Sequence, residues 1–422
     1  MKKIISVVGL GKLGSCMATV YARKGYTVIG VDLNPDTITA INQGQPPVRE
    51  KNLQEFLHES HERISATTDT HDAVIRSDLT FIIVPTPSKE DGSFSTEYVT
   101  SACKEIGLGL SQKQGYHLVV LTSTVLPGDC ERDIIPVLEQ TSGKKAGQDF
   151  GFCYSPLFIA IGSVIQNLLH PDFFLVGESD ARAGDILEAF YQTVCDNRSV
   201  VRRMSIPSAE LTKISVNSYV TMKITFANML GEVASAIPGV NINDVTSALG
   251  HDKRIGSAYL KAGLGYGGPC FPRDNRAFAR MAEQRGVQVP FADKTDEYNN
   301  SLVNYWVQKI KRVAGIQEPI ACIGVSYKPG TDFAEESQAI SIAKQLLLEG
   351  YPVHVYNPDG NTHANKLLGS SVTYHENLES CIQTTNSIFL GLPMRSVVDS
   401  LKPLLEGRSV KIIDPWRQCI WE

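Results

Sequence analysis

The sequence predicts an α/β protein: two doubly wound domains joined by a helical middle domain with one long central helix. Three observations carry that expectation. Short apolar runs alternate with amphipathic stretches as far as Cys195, and the same alternation returns after Glu318. Between them lies a segment of helical spacing with little glycine. Continuous apolar strands separated by helices imply parallel sheets covered on both faces.

The elements follow in order. Strand-like runs are Ile4–Val8, Thr27–Val31, Thr80–Val84, Leu118–Leu121, Phe150–Tyr154 and Phe173–Val176, with helices such as Ser95–Leu110 and Ala181–Val194 between them. From Ser205 to Ile237 the residues Leu211, Ile214, Tyr219, Met222, Phe226 and Met229 recur at helical spacings, which predicts one long, mostly buried helix. Helices over Asn241–Leu249, Arg273–Gln284 and Lys294–Val313 follow, and this region is a spacer or an interface between subunits. The closing α/β pattern is Ile320–Val325, a helix at Gln338–Glu349, then Val353–Tyr356, Ser387–Leu392 and Val410–Ile413. At ~100–200 residues per domain, a chain of this length holds two to four domains. The pattern divides it into three, at 1–200, 201–300 and 301–422.

Composition narrows the function. Hydrophobic residues are 42% and charged residues 20%, which excludes a disordered chain, and no apolar run approaches the roughly 20 residues needed to cross a bilayer. The N-terminal apolar run is strand-length and interrupted by Lys12, so mature, cytoplasmic protein is expected. A formal charge of −5 without a basic block argues against nucleic-acid or membrane partners. The nine cysteines are scattered without a CxxC pair, which disfavours disulfides and bound metal.

The run ISVV leads directly into Gly9-Leu-Gly11-Lys-Leu13-Gly14, a helix, and a second strand ending at Asp32. This is the context of a dinucleotide-binding, Rossmann-like fingerprint. Gly9 allows the tight turn, Gly11 lets backbone approach a pyrophosphate, and Gly14 lets the helix pack on the sheet. Asp32 can accept from ribose hydroxyls and repels a 2′-phosphate, which selects NAD over NADP.

The segment Gly263-Leu-Gly265-Tyr-Gly267-Gly268-Pro-Cys270-Phe-Pro-Arg273-Asp274 holds four glycines and two prolines around one thiol. Such glycine density means close approach by something other than ordinary core packing. At a helix N-terminus beside Arg273, Cys270 would favour thiolate. The other eight cysteines are expected to be inert. A dinucleotide site plus a nucleophilic thiol suggests oxidation through an aldehyde: thiohemiacetal, thioester, acid.

The segment from Arg254 through Gly263 and GLGYGGPCFPRD resembles the UDP-glucose 6-dehydrogenase family of nucleotide-sugar dehydrogenases. VVGLGKLG, VPTPSKEDGS, STVLPG, AELTKISVNSY and GVSYKPGTD extend the resemblance over the whole chain in the family's order. It implies oxidation of the C6 alcohol of a UDP-hexose with two NAD, a helical middle that forms a homodimer, and a C-terminal domain that helps bind UDP. By resemblance Cys270 is the nucleophile, and Lys213 and Asn217 are the catalytic lysine and asparagine. Their i, i+4 spacing puts both on one helix face, where they could stabilise an oxyanion. Asp274 and Thr124 match the pair that orients the hydrolytic water, and Pro85 and Thr86 match the cofactor-contacting loop. For the nucleotide sugar, Arg254 matches an arginine lent across the dimer. Tyr259, Leu260 and Gly265 match the loop around the sugar, and Lys328 matches a lysine of the last domain.

Two departures stand out. Leu157 and Ile161 occupy positions where the family carries glutamates, one of them a base for thioester hydrolysis, and Glu335 replaces an arginine. Glu210 or Asp274 then covers the base role, or the thioester persists. The GGPC and PLF segments rank UDP-N-acetylhexosamine oxidation below UDP-glucose, and Leu157 keeps open a relative that binds nucleotide sugars without turnover.

Overall fold

A computed structural model describes residues 3–159 and 162–419, and Ile161 lies outside the described residues. The chain resolves into two compact units, Met1–Ile214 and Ser215–Glu422. The helix Ile206–Ser235 runs through the point of division.

The first unit is built on one sheet of eight strands: β1 (Ile4–Val8), β2 (Thr27–Val31), β3 (Ile64–Thr67), β4 (Leu79–Ile82), β5 (Leu118–Leu121), β6 (Gly151–Tyr154), β7 (Phe173–Glu178) and β8 (Val200–Met204). Their spatial order is β3-β2-β1-β4-β5-β6-β7-β8. The inner strands are largely buried on both faces, in keeping with their mostly apolar runs. On one face the core joins Met17, Tyr21, Phe81 and Phe190; on the other Val99, Ile106, Leu138 and Phe152.

Two features differ from the sequence reading. The short strands β3 and β8 carry polar residues and show no apolar run, and only their ladders with β2 and β7 identify them. The sheet also is not wholly parallel. β6 and β7 pair antiparallel, Tyr154 opposite Gly177, although the helix Val164–Leu169 lies between them.

The second unit carries a five-stranded, all-parallel sheet of β9 (Ile320–Ile323), β10 (Val353–Tyr356), β11 (Thr373–Tyr374), β12 (Ser387–Leu390) and β13 (Lys411–Ile413). Its order is β11-β10-β9-β12-β13. The helices Pro290–Val313 and Gln338–Leu348 supply Val307, Ile310, Ile342 and Leu346 to one face; Cys381, Val398 and Leu401 cover the other. Both sheets therefore have the doubly wound arrangement expected.

The long helix exists but is not mostly buried. Leu211, Tyr219, Phe226 and Met229 are exposed, as is Val233. From Tyr219 onward the spacings of seven, three and four put the exposed ones on one stripe. Their periodicity was that of a helix face, and periodicity does not say what covers the face.

Candidate active site

In the first unit the candidate cofactor site is the turn after β1, beside the point where the order of strands reverses between β1 and β4. Crevices at such switch points bind ligands in open α/β sheets. Gly9 sits at φ +96°, and a Cβ there would collide with the Ile83 carbonyl. A Cβ on Gly14 would strike the Gly9 carbonyl, so this glycine lets the helix Lys12–Arg23 meet the turn. Gly11 is different: nothing lies within 4 Å of where its Cβ would be. It is the N-cap of that helix, where N–H groups and the positive dipole end favour a diphosphate. The residues thus fit a dinucleotide, with an open cradle at the one glycine whose role is close approach to phosphate.

Asp32 is oriented by two backbone N–H groups, Leu10 to Oδ2 at 2.6 Å and Asn34 to Oδ1 at 2.9 Å. Each oxygen keeps a lone pair for a ribose hydroxyl. Beside it Leu33 is 89% exposed, an apolar platform that the sequence reading passed over. A bulky aliphatic residue directly after the acid was the signal available for it. Leu13 lies half-buried on the core. Thr86 is buried and its hydroxyl donates to the Thr124 carbonyl at 2.7 Å, which ties the loops after β4 and β5 together. Pro85 beside it is exposed.

Lys213 is only 8% exposed, so it is not a solvated surface lysine. Its ammonium donates to the Leu157 carbonyl at 2.9 Å and lies 4.7 Å from the centroid of the Phe158 ring. The Leu157 side chain packs on the core, and Leu157 contributes a carbonyl, not a carboxylate, to this lysine. Glu210 is fully buried, and its two oxygens accept from Gly128 N–H at 2.6 Å and Cys130 N–H at 3.0 Å. Burial, opposed by those bonds, holds its carboxyl above the usual range. These bonds brace the turn before Cys130.

In the second unit a candidate site is built around the thiol. Cys270 is exposed, whereas seven cysteines are buried and Cys419 is half-buried. Burial pushes the Cys381 thiol up to about 12, and those of Cys16, Cys103, Cys130, Cys153 and Cys322 higher still, so these stay protonated. Cys270 is the N-cap of the helix Phe271–Glu283, where the dipole favours thiolate. The Tyr327 hydroxyl is pushed up to about 12, by burial and then by the negative charge of Cys270.

One turn into that helix, Asp274 is 1% exposed and held at both oxygens. Arg273 donates to Oδ1 at 3.0 Å and Asn217 donates to Oδ2 at 2.6 Å. Arg273 thus pairs with the acid, and Asn217 joins the thiol's helix to the long one.

Of the residues expected to meet the nucleotide sugar, Gly265 and Lys328 line one cavity of about 140 Å³ at the C-terminal ends of β9 and β12, with Tyr327 and Trp416. Leu260 instead lines a neighbouring cleft of about 670 Å³ with Lys261, Arg395 and Arg417. Trp416 and Pro393 border both. Tyr259 is 54% exposed at φ +61°, edge-on to Phe271. Arg254 is fully on the surface, paired with Asp252 at 2.6 Å. Glu335 is exposed, and its carbonyl accepts from Gly268 N–H at 3.1 Å.

Three family models cover the chain. The UDP-glucose/GDP-mannose dehydrogenase NAD binding domain matches residues 3–195, the central domain 207–301 and the UDP binding domain 321–417. The chain is 35% identical over 407 residues to GDP-mannose 6-dehydrogenase of Pseudomonas putida, which spans 96% of this chain and 90% of that one. It is 33% identical to UDP-glucose 6-dehydrogenase AglM of Haloferax volcanii over 84% of this chain and 83% of that one. The solved UDP-glucose dehydrogenase of Pyrobaculum islandicum matches with a TM-score of 0.90 at 32% identity, over 99% of this chain and 96% of that one. Fingerprint, thiol and matched domains agree: the chain is an NAD-dependent oxidoreductase and belongs to the UDP-glucose/GDP-mannose dehydrogenase family.

Proposed function

We propose that this enzyme oxidises the C6 alcohol of a UDP-hexose to the carboxylate, with UDP-glucose as the substrate and UDP-glucuronate as the product. The observation that carries the chemistry is the exposed Cys270 at a helix N-terminus, with Asp274 fixed one turn away. Bound NAD supplies the hydride acceptor for both oxidations, alcohol to aldehyde and thiohemiacetal to thioester. The Cys270 Sγ adds to the aldehyde carbon, and the carbonyl oxygen becomes the thiohemiacetal hydroxyl. After the second oxidation water adds to the thioester carbonyl, expels the Cys270 thiolate and leaves the acid. Asp274 Oδ1 accepts twice from Arg273, and Oδ2, bonded to Asn217, keeps a lone pair that can orient that water. Lys213 is the buried cation one helical turn before Asn217, suited to oxyanion stabilisation.

The UDP binding domain match and the relatives named UDP-glucose 6-dehydrogenase support a UDP-sugar. The relative named GDP-mannose 6-dehydrogenase favours GDP-mannose as the second reading. The exposed stripe of Tyr219, Phe226, Met229 and Val233 supports a homodimer through the long helix. Among the described residues no helix is long and apolar enough to cross a membrane, and the proposed site of action is the cytoplasm.

Three nucleotide sugars (UDP-glucose, GDP-mannose and UDP-N-acetylglucosamine) incubated with NAD test the reading. The expected result is two NADH and one acid per UDP-glucose, with turnover lowered about 10³-fold or more by Cys270→Ser. NADH from GDP-mannose alone moves the assignment to the second reading, and no NADH from any sugar overturns the dehydrogenase. Two NADH per site without released acid, with acylated Cys270 by mass spectrometry, identify a stalled thioester, which Leu157→Glu would then relieve.

A further inference from the structure

The loop that delivers Cys270 is poor in intrinsic order, since glycine surrenders more backbone freedom on folding than any other residue. It is nonetheless bound peptide by peptide. The Asn228 side chain accepts from Gly263 N–H at 2.8 Å and donates to the Leu264 carbonyl at 3.1 Å. The Gln338 side chain accepts from Gly265 N–H at 2.9 Å. The Asn299 side chain accepts from Tyr266 N–H at 2.8 Å and donates to the Tyr266 carbonyl at 3.0 Å. Gln338 also donates to the Asn299 backbone carbonyl, which links two of the clamps. All three amides are buried, and they come from the helices Ile206–Ser235, Pro290–Val313 and Gln338–Leu348.

A primary amide carries a donor and an acceptor side by side. Asn228 and Asn299 therefore hold the loop backbone as a neighbouring strand would. A carboxylate of the same shape lacks the donor and would bring an unpaired charge into a buried place.

We propose that Asn299, with Gln338 and Asn228, is a positioning residue for the reaction: the amide clamp fixes the backbone that aims the Cys270 thiol. The clamp's bonds are to loop backbone, so it acts through the loop. This inference rests on the reading of Cys270 as the nucleophile.

The test uses the full-length enzyme with Asn299→Asp, and Gln338→Glu as a second variant in case the first does not fold. A displacement on the order of 1 Å at a reacting group can cost about 100-fold, so kcat is expected to fall by about 10- to 100-fold. NAD affinity should stay within about twofold, because the cofactor turn keeps its contacts. The pH profile for alkylation of Cys270 by iodoacetamide should move upward as the thiol leaves its place at the helix N-terminus. A folded variant with kcat within twofold of the parent overturns the proposal, as does a lowered kcat with an unchanged alkylation profile. Cys270→Ser measured in parallel separates the two readings. If that variant still turns over, the nucleophile assignment fails; if it is dead while Asn299→Asp is normal, only the clamp fails.

Discussion

Two glycine-rich loops do opposite things in this molecule. In the turn at Gly9–Gly14, two glycines are pressed against the protein and Gly11 faces open space. In the loop at Gly263–Gly268 no glycine has such space. A Cβ would meet the Trp416 ring at Gly263, the amides of Asn299 and Gln338 at Gly265, the Glu336 carbonyl at Gly267 and the Tyr327 ring at Gly268. The first loop is shaped to leave room for a ligand. The second is shaped to be gripped, and its glycine density, read from sequence as approach by something beyond the core, is approach by the protein's own side chains.

The contrast can be broken at three levels. The largest effect is expected where a Cβ meets backbone. Gly14→Ala should cost about 3 kcal/mol or more in urea unfolding, and Gly268→Ala, at φ +82° against Tyr327, should cost about 2–3 kcal/mol. A loss below about 1 kcal/mol in both would mean the close approaches are not real constraints. Gly11→Ala should show the reverse pattern. Stability should change by no more than about 1 kcal/mol, while NAD affinity, measured by calorimetry, falls tenfold or more, about 1.4 kcal/mol. Unchanged affinity would remove the ligand from the open side of that glycine.

The smallest effect concerns a titratable brace of the second loop. Asp296 accepts from the Tyr266 hydroxyl and, at 3.0 Å, from Asn275. Burial holds its carboxyl above the usual range, so the folded state binds the proton more tightly than the unfolded one. Stability should then decline as pH rises from the ordinary carboxylate range through the raised value. Asp296→Asn keeps both bonds, since both fall on Oδ1. It should cost under about 1 kcal/mol at low pH and flatten the pH dependence. An equally steep decline in the variant would assign the slope to another group.

How much was legible varies from residue to residue. The strand–glycine–helix–strand–acid order is local, and the structure places Gly9, Gly11, Gly14 and Asp32 as that order requires. Cys270 stood out by its neighbours, and it is the exposed cysteine. Lys213 was harder, because a lysine on a helix is ordinarily solvated, and only the fold buries it against Leu157 and Phe158. Glu210 gave no sign in sequence that its oxygens accept from two backbone N–H groups, eighty or more residues away. The amides Asn228, Asn299 and Gln338 carried no signal at all, lying 36, 33 and 73 residues from the loop atoms they hold.

The sequence by itself determined the alternation of strands and helices and the glycine turn after β1, and it set Cys270 apart from the other cysteines. Each depends on residues within one turn or one strand–helix unit, where periodicity and backbone preference act. Only the tertiary structure decided the antiparallel β6–β7 pair, the exposure of the long helix and what occupies the space beside each glycine. Those depend on partners far away in the chain, and the preference of a residue for its neighbours contains no information about them.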